Sequence, residues 1–137
     1  MRRSMLGFVA ACFGFVCSVT PVLAHHSFAA EYDRNKPIKI TGTVTKVEWM
    51  NPHVYFYIDV RDEQTGKITN WAFEMGAPAV IQRNGWTRNS MKIGDLVIVD
   101  GTRAKSGLPH GNARSVTLAA TGQKLGAGSS EGQTPEQ

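Results

Sequence analysis

Four histidines carry most of the chemical possibilities of this chain. Two of them, His25 and His26, directly follow the small-residue pattern Val22-Leu23-Ala24. A cut after Ala24 makes His25 a free N-terminus, with an α-amine and an imidazole on one residue. An amine with a reference pKa of roughly 7.7–8.0 gives up its proton to a metal near neutral pH. Joined by a nitrogen from His53 or His110, that chelate forms a donor set suited to Cu(II). A second route runs through the His25 amine, an ionised amide nitrogen and the His26 imidazole. His25, His26, His53 and His110 are therefore the candidate metal residues. The plainer reading is a solvated His-His tail and an ordinary Asn51-Pro52-His53 turn, because no short histidine-spacing motif is present.

A second candidate set is a ligand face made by Tyr55, Tyr57 and Glu74. Its plain alternative is two β-forming tyrosines covering a sheet face and a solvated strand carboxylate. Trp49, Trp71 and Trp86 read as core or semi-core anchors rather than a ligand platform. Enzyme signatures are missing from the sequence: there is no Gly-x-Ser-x-Gly elbow, no His-Glu-x-x-His and no phosphate-binding glycine loop. Asp59, Asp62 and Glu63 crowd a turn and do not look like a catalytic pair.

The N-terminus sets the compartment. Met1-Arg2-Arg3-Ser4 is a basic start and Met5 to Val19 is apolar, with Val22 and Ala24 at the small-residue positions of an export cleavage site. The apolar run is too short to span a bilayer comfortably, and no second one follows. Residues 1–24 are expected to be a signal peptide, giving a periplasmic or secreted protein with no transmembrane segment. Val9-Ala10-Ala11-Cys12 offers a competing lipobox with Cys12 as a lipidated terminus, but too little apolar chain precedes it. Removing 24 of 137 residues leaves 113, enough for one domain. Cys12 and Cys17 both go with the signal, so the remaining chain has no disulfide, thiol nucleophile or cysteine metal site. Arg2 and Arg3 go too, leaving 13 basic and 11 acidic residues. That balance gives no reason to expect nucleic acid as a partner.

The elements that must position the candidates follow from periodicity. Residues 25–37 read as a polar arm. Ile38, Ile40 and Val44 alternate with polar neighbours, then the apolar phase moves to Val47 and Trp49 past Gly42, which signals a bulged, bent strand. Val54, Phe56, Ile58 and Val60 make a second strand. Glu63-Gln64-Thr65-Gly66 reads as a four-residue hairpin loop, which pairs Asp62 with Lys67, Ile58 with Trp71, Phe56 with Phe73 and Val54 with Met75. That register sets Glu74 opposite Tyr55. Pro78 opens a short helix that Asn84-Gly85 ends. Strands are expected from Leu96 to Ala104 and from Ala113 to Leu118, around a loop from Ser106 to Asn112. Residues 126–137 are rich in Gly, Ser, Gln and Glu and are expected to lack fixed structure. The order is that of an OB-fold, a five-stranded partly open barrel, spanning 38–125 in an all-β chain with one short helix. A small β-sandwich is the competing architecture.

The spaced set His25-His26-Ser27, Glu31-Tyr32-Asp33, Gly42-Thr43-Val44, Trp49-x-Asn51-Pro52-His53, Trp71-x-x-Glu74, Gly85-Trp86-Thr87-Arg88 and Lys92-x-Gly94-Asp95 resembles a bacterial family of small exported proteins. That family carries a domain-of-unknown-function label. The resemblance implies export and a small β-domain, and it implies no activity.

In an OB-fold, ligands meet the face of strands 2 and 3 and the loops joining strands 1–2 and 4–5. His53 ends the first of those loops and His110 lies in the second. The leading reading is a non-enzymatic binding or accessory module for a small ligand or a periplasmic protein. The runners-up are a Cu(II) carrier or sensor using His25 with His53, and a protein-interaction module working through Tyr55 and Tyr57.

Overall fold

The computed structural model describes residues 27–131. Residues 1–26, which include the expected signal peptide, Cys12, His25 and His26, and residues 132–137 lie outside the described residues. The fold is mainly β. A helical turn, α1 (Phe28–Glu31), leads into β1 (Tyr32–Glu48), β2 (Tyr55–Arg61) and β3 (Ile68–Glu74). Helix α2 (Pro78–Arg83) precedes β4 (Leu96–Ala104), β5 (His110–Leu118) and β6 (Lys124–Gly126). The strands lie in the order β3-β2-β1-β4-β5-β6, neighbours antiparallel, and β3 also pairs with β5 in parallel.

The β2–β3 hairpin has the register its loop length demands. Phe56 faces Phe73, Ile58 faces Trp71 and Tyr55 faces Glu74. The Asp62 amide donates to the Lys67 carbonyl at 2.8 Å, and the Asp62 carboxylate accepts the amides of Gln64 and Thr65. Alternation then sends Phe56, Ile58 and Phe73 into the core with Val44, Val97, Val99 and Val116, and Ile81 of α2 closes over it. The phase change in β1 is a register shift against β2 between Val44 and Lys46. Gly42 lies where β1 presses on β2: a Cβ there would stand 2.6 Å from the Asp59 carbonyl oxygen, so only glycine fits. Helix α2 starts at Pro78 and stops at Gly85, whose φ of 94° is left-handed.

Four expectations need correcting. Residues 28–37 are not an arm, because Phe28 and Tyr32 are buried against Ala104, and β1 runs from Tyr32 rather than Ile38. Alternation is hidden there because the β1–β4 pairing slips between Tyr32 and Pro37, leaving Asp33 to Lys36 turned to water. β5 starts at His110 rather than Ala113, since Gly111 and Asn112 pair with both β4 and β3. A side chain at Gly111 would meet the Phe73 ring at 2.9 Å, so the crossing of β3 and β5 requires a glycine, which reads as loop in sequence. The segment after Leu125 is structured as far as Glu131. β6 adds a sixth strand, Ala127 is fully buried, and the Arg114 guanidinium grips the Glu131 carboxylate. Backbone pairing through small residues builds it, so apolar periodicity gave no sign of it. Finally, α1 is a second short helix beside the one expected.

No helix among the described residues is long and apolar enough to cross a membrane.

Candidate functional site

Glu74 ends β3 with its side chain turned away from the Phe73 core yet only 8% exposed. Three elements converge on it and a fourth joins through Tyr32. From the start of β1, the Tyr32 hydroxyl donates to Glu74 Oε2 at 2.6 Å. From β2, the Tyr55 hydroxyl donates to the same oxygen at 3.2 Å. From the end of the β1–β2 loop, His53 Nδ1 lies 3.4 Å from Glu74 Oε1 and 3.1 Å from the Met75 carbonyl oxygen. From the first residue of β5, His110 Nε2 stands 3.1 Å from the Tyr32 hydroxyl, its ring edge-on to the phenol.

The protons of this cluster can be assigned by what each partner is able to do. A carbonyl only accepts, so His53 Nδ1 carries a hydrogen and donates to Met75. Tyr32 spends its one proton on the Glu74 carboxylate, so it accepts from His110, whose Nε2 carries the hydrogen. Neutral imidazole has one donor and one acceptor nitrogen. His53 Nε2 and His110 Nδ1 are therefore the lone pairs left unspent. Burial pushes the Tyr32 phenol far above its ordinary value, with the Glu74 hydrogen bond and charge adding to it. Tyr55 is raised by the same causes, burial first and the Glu74 charge next. Both phenols thus stay donors throughout the physiological range.

Among the described residues the Glu74 carboxylate has no lysine or arginine partner; its neighbours are phenols and an imidazole. A buried carboxylate costs several kcal/mol, on the order of what two or three charge-assisted hydrogen bonds return. The cluster is therefore a poor device for stability alone.

The structure brings together His53, Tyr55, Glu74 and His110 of the residues singled out from sequence. It separates Tyr57, whose hydroxyl donates to Glu48 Oε2 at 3.0 Å, with Lys46 on the other oxygen of that carboxylate and over the ring. Tyr57 therefore lies outside the Glu74 cluster. Glu74 is buried rather than solvated. Sequence reasoning missed Tyr32, although an isolated aromatic in a polar segment was a visible sign. Trp86 is buried with its Nε1 donating to the Gly126 carbonyl. Trp49 and Trp71 are half-buried, each covered by an arginine, Arg88 and Arg103. Among the described residues no group of three or more His, Cys, Asp or Glu side chains is placed to hold a metal ion.

A family match extends from residue 13 to residue 114 and takes in the whole cluster. The chain belongs to the family of unknown function DUF6152. No curated protein and no solved structure matches the chain. The family therefore brings no activity with it, and the chemistry must be argued from the residues.

Proposed function

We propose that this DUF6152 protein is an exported, OB-fold-like β-domain that works as a non-enzymatic binding module, with its ligand edge at the Glu74 cluster. One observation carries the reading. A buried carboxylate without a lysine or arginine partner among the described residues is met by side chains from β1, the β1–β2 loop and β2, and His110 of β5 joins the group through Tyr32. Polar groups assembled from that many elements at a cost in stability are characteristic of sites rather than of cores. The strand pairing supports the barrel: β1 pairs with β2 and β4, β3 returns to β5 in parallel, and a helix joins β3 to β4. OB-folds bind on strands 2 and 3 and on the loops joining strands 1–2 and 4–5, and the cluster draws on those elements. Export rests on the N-terminal segment and the Ala24–His25 cut.

The test is an NMR titration of the processed protein with a defined panel: Cu(II), Zn(II), inorganic phosphate, acetate and a short alkyl ammonium. At least one probe should saturate while moving the resonances of Tyr32, His53, Tyr55, Glu74 and His110 together. A panel that leaves all five unmoved, or that maps elsewhere on the domain, contradicts the reading.

A further inference from the structure

The chain from Phe28 to Lys36 is joined to the domain differently from the rest of β1. From Pro37 to Thr43, β1 pairs with β4 residue by residue, and Ile38 and Ile40 pack on the main core. Before Pro37 the pairing slips, Arg34, Asn35 and Lys36 are exposed, and Phe28 and Tyr32 form a small apolar cluster of their own with Ala104. Outside that cluster the segment is fastened from β4: the Lys105 amide donates to the Glu31 carbonyl at 2.8 Å and the Lys105 ammonium to the Ala29 carbonyl. A segment that packs outside the main core and hangs on an unpaired stretch opens for a fraction of the cost of global unfolding. What it covers is Glu74. The Tyr32 hydroxyl is seated on Oε2 at 2.6 Å. The other oxygen, Oε1, faces His53 Nδ1 at 3.4 Å, but the hydrogen of that nitrogen goes to the Met75 carbonyl. A carboxylate only 8% exposed thus keeps an oxygen that accepts no hydrogen bond among the described residues.

We propose that the Phe28–Lys36 segment is a lid over this edge, with Tyr32 seated where a ligand's donor goes, and that the ligand is a primary ammonium group. This rests on the binding-module reading above and names its ligand and its gate. An ionised carboxylate only accepts, so the ligand must bring donors. It must also outdo the phenol already in place, and hydrogen bonds from a charged donor are about twice as strong as those from a neutral one. The Glu74 charge, with no lysine or arginine beside it among the described residues, turns an anion away and attracts a cation. A metal ion needs several ligating side chains together, and among the described residues no group of three or more His, Cys, Asp or Glu is so placed. A guanidinium fork needs both carboxylate oxygens in one plane, where Tyr55 and His53 already flank them. An ammonium is a compact point donor and needs only the oxygen that is open or the one that Tyr32 vacates.

The experiment titrates the exported protein with ethylammonium, followed by NMR at constant ionic strength, with tetramethylammonium as a cation of equal charge that has no N–H. Ethylammonium should saturate and tetramethylammonium should not. Glu74→Gln removes the charge and should weaken binding by at least about tenfold, with unchanged Phe56 and Phe73 resonances as the check on the fold. Phe28→Ala loosens the lid without touching Glu74. It should tighten binding about three- to tenfold, because less is lost in opening, and Tyr32→Phe should tighten it too by removing the competing hydroxyl. A segment that merely supports the fold would weaken binding when loosened. The Lys105 amide, held by the Glu31 carbonyl, reports the lid: its hydrogen exchange should accelerate in Phe28→Ala and on adding ethylammonium. Equal binding of the two cations, weaker or unchanged binding in both lid variants, or Lys105 exchange that neither treatment moves overturns the proposal. If another probe moves the five cluster resonances while ethylammonium does not, the ammonium assignment fails and the binding edge stands. If nothing moves them, both fail.

Discussion

Strand β2 carries two tyrosine–glutamate pairs two residues apart, and they differ in nearly everything but composition. Tyr57 meets Glu48 in a group that also holds Lys46, with Glu48 25% exposed and Lys46 58% exposed at the side chain. Tyr55 meets Glu74, which is 8% exposed and is shared with Tyr32 and His53. The first pair is an ordinary surface ion cluster, screened by water and salt. The second confines a carboxylate among two phenols and an imidazole, with a second imidazole joined through Tyr32. The same residue types give decoration in one place and a candidate site in the other. Burial and the absence of a lysine or arginine partner among the described residues make the difference.

Phe56 lies between the two tyrosines on the opposite face, fully buried and stacked on Phe73 at 5.4 Å. It sets the upper end of the scale. Phe56→Ala should cost on the order of 3–5 kcal/mol in denaturant unfolding, from lost burial and the cavity left behind. Tyr57→Ala should cost markedly less, because that ring is partly solvated. Equal losses would mean that the two faces of β2 are not distinguished as described.

Glu74→Ala comes next. It strands the hydroxyls of Tyr32 and Tyr55, and each buried donor left without a partner costs roughly 1–3 kcal/mol. The loss should shrink when Tyr32→Phe is made in the same chain, since one stranded hydroxyl is then gone. A double variant no more stable than Glu74→Ala would show that the carboxylate and Tyr32 are not coupled.

The three tyrosines of the chain should also separate in alkaline titration. All three are raised: Tyr32 and Tyr55 strongly, by burial and by Glu74, and Tyr57 by burial and by its hydrogen bond to Glu48. A folded phenol that keeps its proton beyond the unfolded value of about 10 contributes stability that is intact below that pH. The contribution is lost as the pH climbs above it. Phenolate absorbance should therefore appear first from Tyr57, then from Tyr55, and from Tyr32 only as the protein unfolds. Tyr57→Phe should remove the earliest component and Tyr32→Phe the last. A single step near the ordinary value would contradict the ordering.

The smallest effect belongs to Glu48. Its carboxyl is held below the ordinary range by the hydrogen bond from Lys46 first and from Tyr57 second. Its NMR-detected titration should move back up in high salt or on Lys46→Ala, with no visible change in melting temperature.

Much of this was legible in the sequence, and the rest failed for identifiable reasons. The alternation of Val54 to Val60 and the four-residue loop after Asp62 set the hairpin register, and the register put Tyr55 beside Glu74. Period-2 patterning carries that information wherever one strand face is buried. It could not separate Tyr57 from Tyr55, because periodicity assigns both to one face while Glu48 and Lys46, next door on β1, decide where Tyr57 points. Nor could it find Tyr32, whose burial depends on Ala104, 72 positions away, or β6, which is held by backbone pairing. The burial of Glu74 was invisible for a related reason. It is imposed by three elements that the sequence around Glu74 does not mention.

The binding edge turns on the protons of the two histidines, and a long-range nitrogen–hydrogen correlation spectrum of their side chains reads these directly. In their uncharged forms His53 should appear as the Nδ1–H tautomer and His110 as the Nε2–H tautomer, with the acceptor signals at His53 Nε2 and His110 Nδ1. Tyr32→Phe should release His110 into a mixture and leave His53 unchanged. Opposite tautomers, or a His110 indifferent to Tyr32, would contradict the arrangement on which the binding edge depends.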